Sequence, residues 1–341
     1  MTAGLVLGGI VLLLVVLAGL MWAFGSRAKA KLAAKYPAPG RMVDVGGYRL
    51  HLNCQGTPVA GSPTVVMETA HAEPGLSWAS VQPEVAKFAR VCTYDRAGLG
   101  WSEASSKPRT ADAIVDELHT LLARAGVEPP YVLVGHSIGG MYVRLYAHEH
   151  PDEVAGMVLV DATHEEQFAR MPEAIAKMQA TSTRAMGCLF GLLRTMNSIG
   201  LLAPLAEIRG GVWPMPVPRE ARAAYLATVY SGTQHLETSR RETLAMPENL
   251  AVVRVRQIGS LGDIPLTVIS AGLPAISAGH GISEADAERL KEVATELHAE
   301  MAALSTRGKR VIAEESGHYV PVEQPTVVVD AIREVVEAAR G

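Results

Sequence analysis

A serine hydroxyl becomes a useful nucleophile only when a base stands beside it and an acid orients that base. The stretch Tyr131-Val-Leu-Val-Gly-His-Ser137-Ile-Gly-Gly140 sets a serine where that chemistry is possible. An apolar run enters G-x-S-x-G, and a helical stretch begins at Ile138. The pattern predicts a strand, a sharp turn and a helix, with the Ser137 hydroxyl lifted above the sheet edge. Gly135 and Gly139 suit a crowded elbow that leaves no room for a Cβ. The first helical turn leaves N–H groups free to face a developing oxyanion. A Gly-rich turn with a capping serine is the plainer alternative, and the strand before and helix after weigh against it.

The chain has 11 histidines, so a histidine by itself proves nothing. His318 stands in the loop Glu315-Ser-Gly-His318, after the apolar strand Arg310–Glu314 and before a final helix from about Pro325. It is the expected base. His136 is expected to shape the elbow, because neighbouring side chains on such a turn point apart. His51, His119, His148, His150 and His298 carry no special signal. Three acids compete. The loop from Ala271 to Gly281, after the strand Leu266–Ser270, holds no carboxylate, and the next acids are Glu284 and Asp286. Ser283-Glu-Ala-Asp286 resembles a capping box, which already explains Asp286. Asp161, at the tip of the strand Met157–Asp161, is favoured because it would share the elbow's edge of the sheet. The alternative there is a strand-end aspartate capping the next turn. For the oxyanion, the expected donors are the backbone N–H groups of Ile138 and of His71, in the loop after the strand Thr64–Glu68.

A further loop, Asp95-Arg-Ala-Gly-Leu-Gly-Trp-Ser102, follows the strand Val91–Tyr94. With the G-H-S-x-G-G elbow it makes the chain resemble the α/β-hydrolase superfamily, in the branch carrying a D-R-x-G-x-G-x-S loop. The resemblance covers roughly residues 41–163 and 262–341. It implies a serine hydrolase with Ser137, an acid and His318 in that chain order, with Asp95 and Arg96 fixing loops. It implies no metal and no organic cofactor. Two departures stand out: Thr69-Ala70 replaces the frequent His-Gly of the oxyanion loop, and the commonest acid position is empty. A minority of the superfamily uses the strand tip that matches Asp161. Dehalogenase and epoxide hydrolase chemistry need an aspartate nucleophile, and the elbow has Ser137. The expectation is cleavage of carboxylic esters with a hydrophobic acyl or alcohol part, through an acyl-enzyme. Acyl transfer, thioester or amide hydrolysis would use the same triad, and a non-catalytic ligand-binding protein would share the fold.

The elements that must position these residues alternate along the chain, which argues an α/β fold with a mainly parallel eight-stranded sheet and helices on both faces. Strands are expected at 42–45, 48–53, 64–68, 91–94, 131–135, 155–160, 266–270 and 310–314, the first two joined at Gly46-Gly47 as a hairpin. Helices are expected at about 78–89, 111–125, 138–149, 284–305 and 325–339, with Thr110 as an N-cap. The interval 164–260 interrupts the pattern and reads as a helical cap insertion. Its stretches Cys188–Leu193 and Ile199–Leu205 are apolar enough to line an acyl pocket or simply to pack the cap.

Ahead of this domain, Ala3–Phe24 is a run of uncharged, mostly apolar residues. A helix of that length, at about 1.5 Å per residue, spans the roughly 30 Å hydrocarbon core. Residues 1–25 therefore read as a single-pass transmembrane anchor, 26–40 as a short stalk and 41–341 as the hydrolase-like domain. Arg27, Lys29, Lys31 and Lys35 follow the span and no Lys or Arg precedes it, which places the domain on the cytoplasmic side. A cleaved signal peptide is the competing reading, but the basic n-region is missing and the apolar run is long for one. The expected partners are a small ester substrate and, through residues 3–24, a lipid bilayer. A net charge of −4 with acids and bases intermixed excludes a nucleic-acid surface. Cys54, Cys92 and Cys188 show no metal or redox spacing and are expected to be free thiols, the first two buried.

Overall fold

The expected hairpin opens the sheet. β1 (Arg41–Asp44) and β2 (Arg49–Gln55) pair antiparallel, with Val43 opposite Leu50. The computed structural model describes residues 2–204, 217–273 and 282–340. Among them β3 (Thr64–Glu68), β4 (Val91–Tyr94), β5 (Tyr131–His136), β6 (Val154–Val160), β7 (Leu266–Ala271) and β8 (Gly308–Ala313) complete one eight-stranded sheet. Its order is β1-β2-β4-β3-β5-β6-β7-β8, antiparallel at β1/β2 and β2/β4 and parallel beyond.

The apolar strands serve both faces. Val132 and Val134 of β5 pack with Val65, Met67, Val158, Val160 and Ile269 on one side. Leu133 packs with Val66, Met157, Leu159 and Val268 on the other. That alternation follows from the two-residue period of a strand. α1 (Thr2–Lys35) precedes the sheet. On the second side lie α2 (Ala111–Arg124), through Ile114, Leu118 and Leu121, and α3 (Ile138–Glu149), through Met141 and Leu145. The Thr110 hydroxyl accepts from Ala113 N and caps α2, as its residue type predicts.

Between β6 and β7 the described residues form three long helices: α4 (Glu173–Ser198), α5 (Arg219–Tyr230) and α6 (Gln234–Arg256). α7 (Glu284–Ala302) then joins α2 and α3 on their face, and α8 (Pro325–Arg340) covers the first side with Val328, Ile332 and Val336. The apolar stretches of the insertion are not used as an acyl pocket would use them. Leu202 and Ala203 are buried in a cluster with Leu32, Tyr225 and Leu226, while Leu192, Ile199 and Leu201 are exposed. Leu205 lies outside the described residues.

Two further expectations are adjusted. The short stalk is helical for most of its length, because α1 runs unbroken to Lys35. Ala, Lys and Arg are good helix formers, and the first proline after the span is Pro37. Residues 4–35 are long and apolar enough to cross a membrane by length and composition. The second correction concerns the thiols: Cys54 and Cys92 form a disulfide. They stand 38 positions apart, but the register of β2 against β4 sets them directly opposite. A pairing that skips β3 cannot be read from cysteine spacing. Cys188 remains free and exposed.

One buried cation ties the insertion to the sheet. Arg96, in the loop after β4, meets Glu68 of β3 at 2.6 Å and Glu242 of α6 at 2.9 Å, all three about 1% exposed. Arg96→Leu leaves Glu68 and Glu242 buried without a counter-charge and should cost about 3–5 kcal/mol of stability. Urea unfolding in detergent, followed by far-ultraviolet circular dichroism, measures this; an unchanged midpoint would contradict the clamp.

Candidate active site

β5 ends at His136 and α3 begins at Ile138, so Ser137 carries the whole reversal of the chain. Its backbone sits at φ 54°, ψ −123°. Such a conformation is strained for a residue with a Cβ. Surrounding contacts hold it: Ser137 N donates to Val160 O at 3.0 Å, and Ser137 O accepts from Gly140 N at 3.0 Å and Thr163 N at 2.9 Å. The neighbouring glycines are required by close approach. A Cβ on Gly135 would lie 2.6 Å from Gly139 O, and one on Gly139 would lie 2.6 Å from Thr69 O.

The turn points the Ser137 Oγ at His318, whose Nε2 is 3.0 Å away. On the other side of the ring, Nδ1 lies 2.6 Å from Asp161 Oδ2. In this arrangement Nδ1–H donates to Asp161, and the Nε2 lone pair is left to accept the serine proton. Asp161 sits just past β6 with φ 40°, and its Oδ1 accepts from Ala271 N at 3.0 Å. Glu284 and Asp286 do not join this line. They open α7, where the Ser283 hydroxyl accepts from Asp286 N at 3.0 Å and donates to its Oδ2 at 2.8 Å.

The electrostatics keep Asp161 ionised and make the His318 imidazole a stronger base. Burial raises Asp161, but the His318 hydrogen bond and charge, with help from His298 and the Ala271 N–H, hold it below the usual carboxylate range. Burial disfavours the His318 imidazolium, yet Asp161, then Glu73 and Glu323, outweigh it and raise its pKa. His136 is different: burial and the nearby His318 push it down to about 3. It is neutral near pH 7 and bonds through Nε2 to His318 O at 2.8 Å, so it fixes the loop that carries His318.

The N–H groups of His71 and Ile138 donate to no other described residue. The loop carrying His71 is held from outside. Arg96 donates to Thr69 O at 3.0 Å and Ala70 O at 2.8 Å, while Glu242 Oε2 accepts from Ala72 N at 3.4 Å. The His71 ring itself meets Thr243 Oγ1 at 3.0 Å, so the imidazole is engaged by the insertion. Asp95 fixes the adjoining loops by accepting from Gly75 N and Trp101 N and by pairing with the His51 ring at 2.9 Å.

Two neighbours of this site escaped the sequence reading. His298, on α7, places Nε2 4.0 Å from Asp161 Oδ1. Glu73 is buried, and burial pushes its carboxyl up to about 7 against the pull of His318 and Arg96. With Ser77, Trp78, His136, Tyr319, Pro321 and Val322 it lines a narrow recess beside the His318 loop, too tight for a water molecule. Neither residue has a periodicity or motif that marks it; only the fold brings them here.

The family profile described as alpha/beta hydrolase fold matches residues 63–186. A protein from Gibberella zeae named AB hydrolase superfamily protein is 28% identical over 313 residues, 86% of this chain and 92% of that protein. The epoxide hydrolase CorEH superposes with a TM-score of 0.61 at 16% identity, covering 86% of this chain and 97% of its own. A thermophilic esterase from Thermogutta terrifontis superposes with a TM-score of 0.59 at 19% identity, covering 88% and 99%. At such identities the two structures establish a shared fold alone. The chain spans only 20% and 28% of the length of two other curated relatives, each 34% identical to it.

The Glu73 carboxylate raises the His318 pKa, so Glu73→Gln should make the His318 imidazole titrate at lower pH. Nitrogen-15 NMR of the ring measures this directly. An unmoved or raised titration would place Glu73 outside the electrostatics of the site.

Proposed function

The chain belongs to the α/β-hydrolase superfamily, and from that premise we propose that it is a membrane-anchored serine hydrolase cleaving carboxylic esters with a hydrophobic acyl or alcohol part. The observation that carries this reading is the hydrogen-bonded line from Ser137 through His318 to Asp161. His318 Nε2 takes the Ser137 proton as Oγ attacks the ester carbonyl carbon. The carbonyl oxygen gains the negative charge and turns toward the N–H groups of His71 and Ile138. Donors of that kind are worth about a hundred- to a thousandfold in rate each. Collapse of the adduct returns the proton from His318 to the departing alcohol. Water, deprotonated by the same imidazole, then attacks the acyl-enzyme and frees the acid. Asp161 keeps Nδ1 protonated and stabilises the transient imidazolium.

The partly exposed Tyr319 ring, 5.5 Å from the His318 ring, offers apolar surface beside the base, which supports a hydrophobic substrate part. An apolar helix at the amino end suits a substrate found at a bilayer. The superposition on an epoxide hydrolase does not extend to that chemistry here, since the elbow carries Ser137 rather than a carboxylate nucleophile.

For the placement of the domain, the basic residues after the span favour the cytoplasmic side. The Cys54–Cys92 bridge favours a second reading, with the domain on an oxidising side of the membrane. Blocking free thiols at lysis, then reducing and labelling, separates them. Two cysteines exposed only by reduction support the oxidising side, and three blocked at the first step support the cytoplasm.

Ser137→Ala should abolish both fluorophosphonate labelling and ester hydrolysis without loss of fold. Asp161→Asn should lower kcat by about ten-thousandfold through the wrong imidazole tautomer, whereas Asp286→Asn should cost no more than about 1 kcal/mol of helix capping and leave kcat intact. Turnover undiminished in folded Ser137→Ala, or an inactive Asp286→Asn beside an active Asp161→Asn, would overturn the assignment.

A further inference from the structure

The end of α1 is part of the insertion's own core. A Cβ on Gly25 would lie 2.1 Å from the Gly200 Cα, and Gly200, with φ 86°, has the Met21 carbonyl 3.1 Å from where its own Cβ would stand. Backbone meets backbone here because both positions lack a side chain. Further along, Leu32 is 2% exposed among Leu202, Ala203, Tyr225 and Leu226, with Ala28 and Tyr36 packed against the same cluster. The helix therefore does not leave the domain on a free tether; it docks rigidly on the insertion.

That contact sets the level of the insertion along the helix. Ile199 and Leu201 flank Gly200, so they stand beside Met21 to Gly25, at the point where the apolar run gives way to Arg27 and Lys29. Both are large and apolar, and they are 40% and 36% exposed. Trp22 and Phe24, at the same level of α1, are 60% and 64% exposed. An exposed apolar corner continuous with an apolar helix end is what a bilayer interface covers.

We propose that the Ile199–Leu201 corner of the insertion is a membrane-docking surface, seated in the same bilayer interface as Met21–Phe24, and that the hydrolase draws its esters from that interface. The proposal rests on the anchored-hydrolase reading and adds to it a second, non-helical contact with lipid. The same cluster that holds α1 reaches Leu76, whose neighbours Ser77 and Trp78 line the narrow recess beside the His318 loop. An apolar layer thus runs from the docking corner to the site. The insertion also grips the oxyanion loop, through Glu242 on Arg96 and Ala72 N and through Thr243 on His71. Seating the corner in lipid holds this grip in place while an amphiphilic ester passes from the interface.

The test uses the full chain in phosphatidylcholine–phosphatidylglycerol vesicles, with Cys188→Ser and the Cys54–Cys92 bridge intact. A single cysteine at Phe24, Ile199 or Leu201 carries an environment-sensitive fluorophore, and lipids spin-labelled near the headgroup serve as quencher. Quenching at all three positions is expected. Quenching at Phe24 alone would overturn the docking surface and leave the anchor standing; no quenching at any position would overturn both. In a second arm, the Ile199→Glu, Leu201→Glu double variant should lose about tenfold in kcat/KM on a vesicle-borne long-chain ester, the equivalent of one apolar side chain's burial. Its kcat/KM on a water-soluble acetyl ester should stay unchanged. Equal losses on both substrates would mean that the corner acts only through folding, and the proposal would fail.

Discussion

A buried guanidinium must be surrounded by acceptors, and the way this chain surrounds Arg96 organises much of the molecule. Glu68 comes from the end of a central strand, Glu242 from the inserted helix α6, and the carbonyls of Thr69 and Ala70 from the loop between them. Removing a charge from water costs several kcal/mol unless its partners are well placed. The four groups are therefore held to one arrangement, and with it the loop that carries His71. Tyr94 adds a hydrogen bond to Glu68 and closes the network on the sheet side.

The strain at Ser137 is tolerated in that setting. A positive φ at a residue with a Cβ costs on the order of 1–3 kcal/mol and persists only where surroundings over-determine it. Here β5 lies between β3 and β6, and the missing side chains at Gly135, Gly139 and Gly140 let the start of α3 press against Thr69 and Ala162. Asp161, also at positive φ, directly follows the neighbouring strand β6. Two adjacent strand tips thus aim Ser137 and Asp161 at an imidazole brought in by the loop after β8. His136, kept neutral by burial, fastens that loop through the His318 carbonyl.

The insertion is bound at both ends of its apolar layer: to Arg96 and the His71 loop through charge and hydrogen bonds, and to α1 through close packing at Gly25 and Gly200. It thereby joins a terminal helix to the loops beside Ser137. The physical consequence is that the amino-terminal helix is more than a tether. Its last turns are a structural wall of the insertion, which explains why helix formation continues past the apolar run to Lys35.

Local patterns were enough to read the strands, the elbow, the capped helix starts and the apolar span. Strand periodicity, a glycine-flanked serine and a Thr or Ser before a helix each express forces acting over a few residues. Ser137 and His318 could be singled out in this way, and Asp161 could be preferred because a strand tip has a known edge. Tertiary structure alone decided what depends on distant segments meeting. The Cys54–Cys92 bridge needed the β2–β4 pairing across a skipped strand. Glu73 and His298 needed the fold to carry them to the His318 loop and to Asp161. The segment Ile199–Ala203 looked uniformly apolar, yet folding divided it into Leu202 and Ala203 buried against α1 and Ile199 and Leu201 left in the open. Hydrophobicity is a property of each residue, but the side on which it is buried is set by its neighbours in space, and those are absent from the order of the chain.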